Sequence, residues 1–252
     1  MLKHRTIVVG ALLVLITLIG VSAPAYTYFI LAFIFLVLQF YGASYIQSEF
    51  HLQAFCRSRT AEKVVAITFD DGPGISTENV LNVLKEENAK AGFFLIGKNI
   101  EGNELLLKRM QAEGHTIGNH SYTHNFWYDL NTATQFYRDL KQAEEQIERV
   151  IGTRPLYFRP PYGVTTPALA RAVKKLNYHT IGWNIRSFDT KLKDPRKVME
   201  RIKERLQPGS IILLHDSMRG AEHVLTDLLQ YLKKENYKIV GLEELSQQRA
   251  YA

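Results

Sequence analysis

Between Arg5 and Glu49 the chain carries no charged side chain, and nothing else in the sequence restricts the fold as tightly. As a single helix, residues 6–48 would measure about 65 Å, roughly twice the hydrocarbon core of a bilayer. The break at Ala23-Pro24-Ala25 divides the run into residues 6–23 and 26–46, each able to cross once. Tyr26, Tyr28, Tyr41 and Tyr45 lie near the segment ends, where amphipathic aromatics favour the membrane interface. A cleaved signal peptide has a basic start and a small-residue site, which Val21-Ser22-Ala23 loosely matches. The second apolar run would still remain as an anchor. The expected organisation is therefore a membrane anchor of two transmembrane helices over residues 1–48, a linker over 49–62, and a domain over 63–248. Lys3 and Arg5 flank one end of the anchor, and Arg57, Arg59 and Lys63 the other, with no charge in the turn. The positive-inside rule then puts both ends, and the domain, in the cytoplasm.

The domain is long enough for one sizeable core. Net charge is +6, but the basic residues are dispersed along amphipathic stretches at 196–205 and 233–238. They read as solvated helix faces, which argues against nucleic acid and for attraction to anionic lipid headgroups. Cys56 is the only cysteine, so an intrachain disulfide and a thiolate metal cluster are both excluded.

Apolar runs at 64–69, 91–96, 115–119, 157–159, 178–183, 211–215 and 237–240 predict seven strands. Helical spacing predicts helices at 77–88, 103–113, 132–150, 166–176, 194–206 and 221–234. Ser76 is a candidate N-cap, and Gly114 and Gly152 are stop signals. Strands alternating with helices predict parallel units, and about seven of them a barrel.

Nearly every unusual polar cluster falls at the C-terminal end of a predicted strand, the edge where barrel enzymes gather catalytic groups. Asp70 and Asp71 adjoin after the first strand, costly unless neutralised; a divalent metal on one leaves the other free as a base. His120 and His124, four apart, complete a two-His, one-Asp set. Such donors suit zinc, and also cobalt, nickel or iron; three protein ligands leave a position open for water. Arg159-Pro160-Pro161-Tyr162-Gly163 is stiff enough to aim a backbone N–H at an oxyanion. His215 ends the strand at 211–215, and a carboxylate such as Asp189 could hold it protonated as a general acid.

Taken in chain order, the segments at 68–73, 120–124, 159–163, 183–190 and 213–216 resemble the polysaccharide deacetylase family (the NodB-homology domain, carbohydrate esterase family 4), over residues 64–242. The resemblance implies an α/β fold, a distorted (β/α) barrel, and hydrolysis of an N-acetyl group. It implies Asp70 as general base and Asp71, His120 and His124 as metal ligands. Arg159 would orient the base, the Tyr162 N–H would bind the oxyanion, Asp189 would tune His215 as general acid, and Leu213 would wall the acetyl pocket. Arg186 stands where the family usually has an aspartate, and Thr190 where it often has a tryptophan. Arg186 could meet an anionic group such as a lipid-linked phosphate. The substrate implied is an acetylated amino-sugar polymer or a lipid-linked saccharide at a bacterial-type inner membrane. The same chemistry also serves an O-deacetylase or a deformylase, and the altered fourth segment leaves room for a non-catalytic carbohydrate-binding membrane protein.

Overall fold

The computed structural model describes residues 3–192 and 194–252. Two apolar helices open the chain, α1 (His4–Gly20) and α2 (Ala25–Ser44). They form a hairpin: the His4 Nδ1 lies 3.0 Å from the Gln39 Oε1, and the His4 N–H donates to the Phe50 carbonyl at 3.1 Å. By length and composition α2 is long and apolar enough to cross a bilayer; α1 is equally apolar but shorter. Of the two, only α2 buries a residue, Gly42; Val8, Leu15, Leu31 and Phe35 are half-buried, and most of the other large apolar side chains point outward.

The domain alternates strands with helices: β1 (Val64–Gly72), α3 (Thr77–Glu86), β2 (Ala91–Leu95), α4 (Glu104–Ala112), β3 (Thr116–Asn119) and α5 (Ala133–Ile151). Then come β4 (Tyr157–Phe158), α6 (Pro167–Leu176), β5 (His179–Thr180), β6 (Ile185–Arg186), α7 (Pro195–Arg205), β7 (Ser210–His215), α8 (Ala221–Lys234), β8 (Lys238–Ile239) and α9 (Leu242–Ser246). The strands pair in parallel in the order β5-β4-β3-β2-β1-β7-β6, with β8 beside the start of β1. The result is a curled seven-strand sheet, the distorted barrel expected, open between β5 and β6. Three elements depart from the sequence reading. β6 and α9 lie outside every apolar run and helical spacing read from the sequence, because elements this short leave too little periodicity. Within the stretch at 178–183 only His179 and Thr180 pair with β4, and Ile181 forms an isolated bridge with Phe55.

Residues 46–58 fill the opening. The Phe55 N–H donates to the Thr180 carbonyl and the Gly182 N–H to Phe55, while the Ser58 N–H reaches Gly209 beside β7. Ile46 and Ala54 are buried there in the inner layer, while Phe50 packs against Gly42 of α2 and His4 of α1.

Two-residue alternation decides what each strand face does. On β1, Val65, Ile67 and Phe69 join the layer packed under the helices, with Leu81, Leu84, Ile147 and Leu225. Ala66 belongs to the inner layer with Phe94, Tyr157, Ile211 and Leu213. Thr68 and Asp70 continue that inner face, as His215 continues it on β7. Helix signals seat the outer shell. Thr132 caps α5 in a full capping box with Gln135, worth about 1 kcal/mol, and Gly152 ends it at φ +74°.

Candidate active site

Register makes Asp70 and His215 partners at the ends of adjacent strands, both pointing into the bowl. Asp70 is almost fully buried, and its Oδ1 accepts from the Arg159 Nη1 at 2.7 Å. Arg159 is wholly buried, and its fork is satisfied throughout: Nη1 also donates to Thr68 Oγ1 (2.9 Å), Nε to the Ile181 carbonyl (3.1 Å) and Nη2 to the Gly182 carbonyl (2.9 Å). Its guanidinium lies 4.0 Å from the Phe94 ring centroid. A buried charge held this way is fixed in one geometry. The other Asp70 oxygen lies 3.8 Å from His120 Nε2.

Asp71 follows at φ +69°, with its carbonyl held by Asn99 Nδ2 at 3.1 Å. The turn sends its side chain away from Asp70, and Oδ1 lies 3.5 Å from His120 Nε2 and 3.3 Å from His124 Nε2. The three donor atoms lie within 4.8 Å of one another. His120 Nδ1 sits 2.8 Å from the Arg159 carbonyl, which only accepts, so Nδ1 carries the proton and the Nε2 lone pair faces the centre. Burial and the neighbouring His120 push His124 down to about 4, which keeps its ring neutral at physiological pH. Burial works to raise the Asp71 carboxyl, but the two histidines outweigh it and hold the carboxyl below its usual range. Two imidazole nitrogens and a carboxylate oxygen form a donor set that fits a divalent cation.

The loop bearing the histidines has its own scaffold. Asp139 of α5 accepts from the Tyr122 N–H (2.9 Å) and the Thr123 N–H (3.0 Å), and Asn119 Oδ1 from the Ser121 N–H (2.8 Å). Sequence reasoning missed both residues. The signal for Asp139 was present: it interrupts the apolar stripe Phe136, Leu140, Ala143, Ile147 that α5 buries. Asp216, also missed, is fully buried and pushed up to about 7 by burial; its Oδ2 accepts from Thr77 Oγ1 at 2.5 Å.

On the other side of Asp70, His215 Nδ1 lies 2.8 Å from Asp189 Oδ1, while the His215 N–H donates to Asp189 Oδ2 at 2.7 Å. Ser187 Oγ donates to the same carboxylate at 2.9 Å. Burial works to lower the His215 pKa, but the Asp189 hydrogen bond and charge win, and it is raised. Tyr162 sits at φ +58°, its ring 4.8 Å from that of His124, in a loop closed by Gly163. A Cβ on Gly163, itself at φ +74°, would lie 2.5 Å from the Trp183 ring. Leu213 is buried on the inner face two residues before His215 and pairs with Thr68. All nine residues singled out in the sequence thus converge on one end of the bowl.

A family model described as polysaccharide deacetylase matches residues 57–181. A peptidoglycan-N-acetylmuramic acid deacetylase, PdaA of Bacillus subtilis, is 34% identical over 199 residues, spanning 76% of this chain and 74% of its own. A peptidoglycan-N-acetylglucosamine deacetylase of Bacillus cereus is 32% identical over 188 residues, spanning 73% and 68%. Among solved structures, the Bc1960 peptidoglycan N-acetylglucosamine deacetylase superposes with a TM-score of 0.74 at 29% identity, covering 79% of this chain and 95% of that one.

Proposed function

Since the chain belongs to the polysaccharide deacetylase family, we propose that it is a membrane-anchored, metal-dependent hydrolase that removes N-acetyl groups from an amino sugar of the cell envelope. The observation that carries this reading is the double role of Arg159. Its side chain fixes Asp70, and its carbonyl fixes the tautomer of His120. One buried residue thereby locks a base to a metal-binding cluster, which a structural ion pair would not require.

Asp71, His120 and His124 would hold a divalent cation, zinc first among them, whose chemistry when bound is that of a Lewis acid. Asp70, anchored through one oxygen, uses the other to take a proton from the water that attacks the acetyl carbon. The Tyr162 N–H donates to the oxyanion that forms. His215, kept protonated by Asp189, gives its proton to the nitrogen as the C–N bond breaks. The products are acetate and a free amino sugar.

Arg186 supports a finer substrate assignment. It lies on the inner face beside Leu213, its guanidinium 5.7 Å from the Trp183 ring centroid and 5.2 Å from that of Phe188. Among the described residues it makes no ion pair. An unpaired cation at the mouth suits a sugar bearing an anion, as an N-acetylmuramic residue does through its carboxylate. The α1–α2 hairpin serves as the anchor and residues 63–248 as the catalytic domain. The charge flanks favour a cytoplasmic domain, where the acetylated sugar in reach is lipid-linked; an outward-facing one meets the finished polymer.

Acetate release by the full chain in detergent tests the reading, with N-acetylglucosamine oligomers, muramic-containing glycans, O-acetylated and N-formylated analogues as substrates. Release that needs metal and vanishes in Asp70→Asn is expected. Full activity in Asp70→Asn would refute the assigned base. Release from esters or formamides alone would move the activity to an O-deacetylase or deformylase.

A further inference from the structure

Among the described residues beyond the α1–α2 hairpin, eight large apolar side chains are exposed, and their distribution is one-sided. Ile75 follows β1, Phe126, Trp127 and Leu130 follow β3, Tyr162 follows β4, and Met218 follows β7. Each lies in a loop leaving the C-terminal end of a strand, the end where Asp70 and His215 sit. Leu105 opens α4, on the same edge because helix starts follow strand ends, and Tyr45 closes α2. None lies at the opposite edge of the sheet. Scattered apolar residues on a soluble surface need no explanation, but a set confined to one face does.

The exposure is built in rather than slack. Tyr128, wholly buried against Phe136 at 5.0 Å, pins the loop between β3 and α5 from beneath and leaves Phe126, Trp127 and Leu130 outside. The anchor also emerges on this side. The Thr165 N–H, three residues past Tyr162, donates to the Ala43 carbonyl of α2 at 2.9 Å. Ile46 packs on Gly182, next to Trp183, so closely that a Cβ there would stand 3.2 Å from its Cδ1. The base of the membrane hairpin is thus fastened to the rim of the site itself.

We propose that the catalytic face is also the membrane-docking face: the apolar rim sits in the headgroup layer of the bilayer that holds α1 and α2. This rests on the reading of those helices as a membrane anchor. The occupant follows from that continuity and from the chemistry of the rim. Tryptophan and tyrosine favour the interface, and isoleucine, leucine and methionine, which cannot stack on sugar rings as aromatics do, favour the acyl boundary. The net charge of +6 adds attraction to anionic headgroups. A site opening onto lipid takes its acetyl group from a saccharide attached to that lipid.

The chain has two tryptophans, which makes the test direct. Trp127 is 67% exposed on the rim and Trp183 is 6% exposed within the domain. The full chain is reconstituted into phosphatidylcholine–phosphatidylglycerol vesicles with bromine-labelled acyl chains, and tryptophan emission is recorded. Strong quenching that survives Trp183→Phe and disappears in Trp127→Phe is expected. Protein that floats with the vesicles but shows no quenching, or quenching that persists in Trp127→Phe, overturns the docking face. Protein that does not float overturns anchor and docking together. Neither readout depends on activity, so a failure here is separable from a failure of the deacetylase assignment. In a second arm, a Phe126→Ser, Trp127→Ser, Leu130→Ser variant is assayed on a lipid-attached acetylated disaccharide in vesicles and on a soluble oligomer. Release from the lipid-attached substrate should fall about tenfold, equivalent to ~1.4 kcal/mol, with the soluble substrate unaffected. An equal fall on both would make the rim a sugar platform and overturn the proposal.

Discussion

Asp71 with His120 and His124, and Asp189 with His215, are both carboxylate–imidazole groups, set on either side of Asp70 along the same sheet edge. Their proton affinities are driven apart. Burial and a second imidazole push His124 down to about 4, whereas the doubly engaged Asp189 raises His215. The difference comes from what each histidine faces. His120 and His124 face each other, with ring centroids 5.0 Å apart, and share one carboxylate oxygen; His215 has a carboxylate to itself. Neutral rings offer lone pairs to a cation, and a protonated ring offers a proton. Under the proposed roles, identical residue types would serve as ligand and as acid, set apart by what each ring packs against.

Arg159 joins the halves through Asp70 on one side and the His120 tautomer on the other, so its loss should break the comparison most completely. In Arg159→Met the Asp70 carboxylate is left buried without its partner, a change that costs about 3–5 kcal/mol of stability. Urea unfolding should show that loss, with acetate release at background. A variant of unchanged stability would mean that Asp70 is not held by this pair.

Removing one histidine at a time separates the halves. His120→Ala should lose zinc binding by calorimetry, and chelation of the unaltered chain should abolish acetate release reversibly. His215→Ala should bind zinc normally and still lose roughly 10²–10⁴ in rate, the range of a general acid. If both variants lost metal affinity equally, the division of labour would be wrong.

Asp189→Asn leaves both rings in place and shifts only a pKa. Because the folded-state pKa of His215 is raised, its acid form persists to higher pH, and activity declines as pH rises through that value. The ion pair's contribution to stability is complete below the unfolded value of about 6.5 and is lost through the same rise. With asparagine, only the Asp70 and Asp71 charges still oppose burial, and the pKa falls. The alkaline limb of the kcat profile should move to lower pH, and the stability increment below neutrality should disappear. An unmoved limb would assign that titration to another group.

The contrast also shows what a sequence reveals. Asp70 and His215 were conspicuous because each closes an apolar strand on the face that alternation turns inward, and Asp71, His120, His124, Arg159, Tyr162 and Asp189 because they stand in polar clusters after apolar runs, whereas Leu213 came only with the family resemblance. The fold was legible for the same reason: alternating apolar runs mark parallel units. Asp139 and Asn119, which shape the histidine loop, were not, because they act through backbone N–H groups and leave no spacing motif. The stretch at 49–62, read as a linker, carries Ala54 and Phe55 into the opening between β5 and β6, a contact defined only once the sheet has curled. The opposed pKa shifts were half legible: the sequence supplied both carboxylate–imidazole groups, but not which rings would face each other.

The smallest expected effect concerns the wall of the site rather than its chemistry. Arg186 projects from β6 on the same inner face as Leu213, between the Trp183 and Phe188 rings, while Arg201 Nε holds its carbonyl at 2.7 Å. Its backbone is thus fixed and its charge left over, which is the arrangement for meeting an anion on the substrate. Partly exposed charge pairs contribute about 1 kcal/mol, so Arg186→Ala should cut kcat/KM for a muramic-containing glycan roughly fivefold. Neutral N-acetylglucosamine oligomers should react at an unchanged rate, because the acid, the base and the metal donors lie elsewhere. Raising ionic strength should shrink the difference in the unaltered chain and leave the variant flat, since a partly exposed pair is screened. An equal loss on both substrates would give Arg186 a packing role over the two rings, and the choice of sugar would then rest on the rim.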